Sequence, residues 1–119
     1  MGHIRNHTIV VTANHESDIL KSAHFVALSI FPWVSPISPP ADNGSQSFFI
    51  PPDGSKENWK ESIDGDNARN EFKKWLNSRL YDDGGSPLSW VELYFGGDDE
   101  EPIITDDSNE VARSNKNLA

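Results

Sequence analysis

Trp90-Val91-Glu92-Leu93-Tyr94-Phe95 is the clearest strand in the chain, and the side it turns inward decides the architecture. Successive strand side chains point to opposite faces, so Val91, Leu93 and Phe95 share one side and Trp90, Glu92 and Tyr94 the other. The first set suits a helix-covered core. The second set would then leave two large aromatics on an open face, together with one of Phe48 and Phe49. Such a face calls for a cover: a loop of the same chain, a second copy packed sheet to sheet, or a stacking ligand.

Working outward, Gly96 to Pro102 makes an acidic turn into a short strand at Ile103-Ile104-Thr105. Upstream, Ala68, Phe72, Trp75 and Leu76 recur at helical spacing, with Arg69, Asn70, Lys73, Lys74 and Asn77 on the opposite face. Asp64 or Asp66 is the expected cap of that helix, and Pro51 to about Gly65 the expected loop, anchored by Trp59. Ser47-Phe48-Phe49-Ile50 reads as a strand. Val34-Ser35-Pro36-Ile37 can be only a short or edge strand, because Pro36 removes a ladder donor. Ile19, Leu20, Ala23, Val26, Ala27 and Ile30 mark a first helix with Asn14 or Ser17 as cap, stopped by Pro32. Thr8 to Ala13 is β-branched and reads as a buried strand. The order is that of an α+β domain, ferredoxin-like βαββαβ with a fifth short C-terminal strand and two helices on one face of an antiparallel sheet. A single domain over residues 7–106 is expected, with flexible termini at 1–6 and 107–119.

The charge is segregated. Between Leu80 and Ala112 stand ten carboxylates and no Lys or Arg, whereas the other 86 residues carry nine acids and ten bases. A one-signed surface steers partners of opposite sign. Asp82, Asp83, Glu92, Asp98, Asp99, Glu100 and Glu101 are the carboxylates that structure would hold in place, and they are expected to meet a partner protein with a basic surface. The same segregation argues against direct nucleic-acid binding, which needs cations around its stacking aromatics. Arg69 and Lys73 offer an alternative anion contact, with Trp59, Trp90 or Tyr94 as interface or stacking groups, for a small ligand such as a nucleotide signal.

Other chemistry finds little footing. There is no Cys, which removes disulfides, thiolate metal sites and Cys nucleophiles. No Gly-x-Ser-x-Gly turn or phosphate-cradling glycine loop occurs. His24 reads as a boundary histidine. Asp64-Gly65-Asp66-Asn67 only faintly resembles a calcium loop and lacks its later ligands. No catalytic residue, metal or cofactor is expected, and no apolar run approaches the ~20 residues of a membrane span. The reading is a non-enzymatic protein of the cytoplasm.

Ser47-Phe48-Phe49-Ile50-Pro51-Pro52-Asp53-Gly54-Ser55-Lys56-Glu57-Asn58-Trp59 continues into Gly65-Asp66 with Arg69, Phe72, Trp75 and Leu76, then Asp83-Gly84 and Trp90-Val91-Glu92. From about His7 to Asp107 this pattern resembles a family of small uncharacterised proteins encoded by bacteriophages and prophages. The resemblance implies an accessory protein in the bacterial host cell that binds and modulates a host protein, such as one of a defence system. It carries no activity with it. A homodimer through the open sheet face is the remaining expectation.

Overall fold

The computed structural model describes residues 5–14, 18–54, 60–79, 87–97 and 101–108. They form β1 (Asn6–Ala13), α1 (Asp18–Ile30), β2 (Gln46–Ile50), α2 (Lys60–Asn77), β3 (Ser89–Phe95) and β4 (Ile103–Asp107). The four strands make one antiparallel sheet in the order β2-β1-β3-β4. Both helices lie on the same side of it: His24 of α1 meets Phe48, and Asp66 and Lys73 of α2 meet His7 and Glu92, all residues of one sheet face.

That face is the opposite of the one the β3 sequence suggests. Val11 is paired with both Phe48 and Trp90, and Ile9 with both Ile50 and Glu92, and these six side chains point under the helices. Trp90 is 3% exposed and Glu92 5% exposed. Val91, Leu93 and Phe95 lie on the open face, in register with Val10, Thr8 and Asn6 of β1. Strand register has a period of two, so this single inversion exchanges every residue of β3 between core and surface. The large indole of Trp90 joins the buried core that includes Val11, Leu76 and Leu88, and Glu92 is admitted because basic and hydroxyl partners meet it inside.

Small residues bring α1 close to the sheet. Ala23 and Ala27 are fully buried beside Leu20, and the chain leaves the helix at Phe31, whose amide still bonds Ala27 before Pro32 ends the ladder. Phe31 then meets Phe72 of α2 edge-on, with ring centroids 5.9 Å apart.

Two expectations on element boundaries are corrected. First, α2 begins at Lys60, so Asp64 and Asp66 lie within it rather than capping it, and the preceding loop is shorter than expected. Second, Val34–Ile37 is not a strand, and among the described residues the sheet has four strands, not five. The C-terminal strand itself is present as β4. The segment after α1 nevertheless seals the outer edge of β2. The amides of Ser35 and Ser38 donate to the carbonyls of Phe49 and Ser47, at 3.0 and 2.8 Å. The amides of Phe49 and Ser47 donate in turn to the hydroxyls of Ser35 and Ser38, at 2.8 and 3.0 Å. Serine oxygens thus stand where a neighbouring strand would present carbonyls. The order of elements is compatible with a ferredoxin-like arrangement.

The inverted face has a direct test. Urea denaturation should show Trp90→Ala losing about 3–5 kcal/mol, the range for emptying a packed aromatic site. Phe95→Ser, at a position 37% exposed, should lose under about 1 kcal/mol. The reverse ranking would mean that the other face of β3 packs under the helices.

Candidate functional site

The sheet face beneath α2 carries a compact ionic cluster. Lys73 donates to Glu92 Oε1 at 2.9 Å and lies 3.2 Å from Asp106 Oδ2. Thr105 Oγ1 donates to the same Glu92 oxygen at 2.8 Å. Thr105 and Asp106 reach Glu92 together because β4 carries a bulge: Glu92 pairs with Asp106 and Leu93 with Ile104, leaving Thr105 as the extra residue. Burial, the largest single influence on the Lys73 ammonium, pulls its pKa down. The hydrogen bonds and charges of Glu92, then of Asp106, outweigh that and hold it above the ordinary value.

These contacts reassign the sequence-predicted site residues. Glu92 is a core residue neutralised from within, not part of an outward acidic surface. Lys73 is committed to it and is no free anion contact. Trp90 is buried and cannot serve as an interface or stacking group. Tyr94 is half-buried against the His7 ring, with centroids 3.6 Å apart, and under the Arg5 guanidinium. Glu101 is exposed, its backbone carbonyl accepting from Arg5. Asp82, Asp83, Asp98, Asp99, Glu100 and Trp59 lie outside the described residues. His24 is the satisfied boundary histidine its position suggests, donating from Nε2 to the Ser35 carbonyl at 2.9 Å. Among the described residues no group of three His, Asp or Glu side chains is placed to hold a metal ion.

Arg69 stands apart from the rest. It lines a cleft of about 630 Å³ where three elements end. The exit of α1 supplies Ile30, Phe31, Pro32 and Trp33. The chain leaving β2 supplies Ile50, Pro51, Pro52, Asp53 and Gly54, and the first turns of α2 supply Asp64, Gly65, Ala68 and Arg69. The two prolines turn the chain out of the sheet, and Gly54 continues the turn at φ 76°, a conformation that L side chains rarely adopt. Arg69 is 5% exposed, and Asp66, one turn before it on α2, takes an N–H of its guanidinium in an ion pair. Gly65 allows this floor to close up. A Cβ there would stand 2.6 Å from Asp53 Oδ2 and 3.2 Å from Arg69 Nη1. Trp33, at the mouth, is 59% exposed.

Sequence reading found Arg69 but not the cleft. Trp33 carries no sequence signal of its own, because it follows a helix-ending proline and belongs to no periodic pattern. Its signal was the cluster it forms with Pro32, Pro51 and Pro52, which is legible only once β2 brings residue 50 alongside residue 30. Compared with protein-family models, curated proteins and solved structures, the chain matches none of them.

Two outcomes are expected. Replacing a mid-helix glycine by alanine ordinarily stabilises by up to about 1 kcal/mol. Gly65→Ala should gain little of this in the wild-type background and more in Asp53→Ala, with a coupling of about 0.5 kcal/mol or more in a double-mutant cycle. For Lys73, a folded-state pKa raised above 10.5 means that its contribution is complete below that pH and is lost as pH climbs through the folded value. Unfolding free energies should therefore fall as pH is raised beyond about 10.5. The fall should be shallower in Lys73→Met/Glu92→Leu, which removes the titrating ammonium together with the buried carboxylate it neutralises.

Proposed function

We propose that this chain is a non-enzymatic binding protein and that the cleft between Trp33 and Arg69 is its site for a small, largely apolar ligand. The observation that carries the reading is Arg69. Its guanidinium has five N–H donors, is almost wholly withdrawn from solvent, and spends one on Asp66 among the described residues, at the floor of an apolar cleft. A volume of about 630 Å³ suits a small organic molecule, and a few polar groups among apolar walls is the usual composition of such sites. Docking to a basic host protein through the acidic stretch has weaker support, because Glu92 is buried and Glu101 alone of that set is described as exposed. Within the same proposal the setting is a bacterial cell, as the resemblance to phage-encoded proteins implies.

The finer fold reading belongs to this proposal too. β2 and β3 both run antiparallel to β1 and flank it, so α2 joins two mutually parallel strands across a third. That is a split βαβ unit. Counting the Ser35–Ser38 segment as an edge strand completes the ferredoxin-like arrangement, with β4 added beyond β3.

An NMR titration with indole, a neutral flat probe, tests the site. The amides of Gly54, Gly65 and Ala68 and the Trp33 indole N–H should shift together, and Trp33→Ala should weaken the response about tenfold, the value of one lost aromatic contact. Shifts confined to β4, or none, would count against the cleft.

A further inference from the structure

Register places Val10, Phe49, Val91, Leu93, Phe95 and Ile104 on the sheet face turned away from the helices. Phe49 is 42% exposed there, Phe95 37% and Ile104 63%. An antiparallel sheet open to water on one side ordinarily carries polar side chains on that side. Here the hydroxyl groups are turned back into the sheet. Thr8 donates to the Ile50 carbonyl at 2.7 Å, and the hydroxyls of Thr12 and Ser47 bond each other at 2.7 Å. The face can therefore lose its water without orphaning those groups.

Charge narrows what covers it. The chain carries a net charge of −9. Among the described residues of this face the one charged side chain is Asp107, which is paired with Val91 at the β4 border. A molecule recognised by its charge would find little to hold here. A strongly anionic chain, by contrast, meets its own copy best where its charge is missing, because like charges repel across any other contact. This face satisfies that condition.

We propose that two copies of the chain pack through these faces, sheet on sheet, about a two-fold axis parallel to the strands. Facing sheets stand about 10 Å apart with their strands within about 30° of each other. Such an axis reverses the order β2-β1-β3-β4 across the contact, so each β2 covers the β4 of the other copy and each β1 covers the other's β3. The aromatic border at Phe49 then meets the aliphatic border at Ile104, and Val10 meets the strand of Val91 and Leu93. The two Asp107 carboxylates fall at opposite borders. An axis across the strands would instead stack β4 on β4 and bring those carboxylates together. Four strands about 4.8 Å apart, with about five residues of roughly 3.4 Å each, give a face of roughly 300 Å² in plan. Standard interfaces bury about 800 Å² per partner. The dimer is therefore a reversible one, populated at high protein concentration. It stands independently of the cleft, which lies on the helix side.

Sedimentation equilibrium of the full chain from about 10 μM to about 1 mM tests the contact. A monomer–dimer equilibrium is expected. It should tighten about threefold or more between about 0.05 and about 0.5 M NaCl, as salt screens the repulsion of two anionic copies. Phe49→Gln and Ile104→Gln leave the net charge unchanged, and each should weaken association about tenfold by burying an amide. Leu28→Gln, at a position 52% exposed on α1, should leave association as it is. A monomer at every concentration would overturn the proposal, the face then being covered within the chain or kept for another molecule. A dimer that salt weakens would overturn it too, since the copies would then meet through opposite charges. So would a dimer that Leu28→Gln disrupts and the two sheet variants do not, which would place the contact on the helices.

Discussion

A carboxylate on the inward side of a strand constrains everything around it. Glu92 sits under α2 with almost no solvent, where an unpaired charge would cost several kcal/mol. The structure answers from two sides: Lys73 comes down from α2, and Thr105 and Asp106 come across from β4. Each answer fixes geometry. The lysine lies on the same side of α2 as Phe72 and Leu76, which enter the core, and Arg69, which lines the cleft. The bulge sets the register of β4.

The same residue marks the limit of what the sequence discloses. Element types were legible where periodicity was strong: Ile9 and Val11 in β1, Leu20, Ala23 and Ala27 in α1, Phe72 and Leu76 in α2. The face of β3 was not, because alternation alone offers two sets and the set with a glutamate looks like surface. Only the long-range partners of Glu92, 13 and 19 residues away in the chain, reverse that choice. Gly65 misled for a related reason. A lone glycine between two aspartates reads as a turn, yet here the helix continues through it, and the side chains of Asp53 and Arg69 close over the bare position. Of the site, Arg69 could be chosen from composition. Trp33 could not, since its neighbours in the cleft come from β2 and α2.

The cleft also explains why a helix carries a residue that ordinarily weakens it. Gly65, Arg69 and Asp66 occupy one side of α2, and the floor they form is assembled from polar groups that satisfy one another while leaving donors over. A tighter packing, with alanine at 65 and an apolar residue at 69, would be an easy route to a more stable helix. The chain retains a less stable arrangement that is open at one end.

The serine seal on β2 gives the acidic stretch a meaning beyond recognition. With Ser35 and Ser38 occupying one border, the sheet has a single border left among the described residues, the outer side of β4. Unpaired strand borders template the addition of foreign strands, and charge is a common deterrent. Asp107 lies on that border and the exposed Glu101 beside it, whereas Asp106 is turned to Lys73. Charge at such a border is of the kind that keeps a sheet from growing into its neighbours.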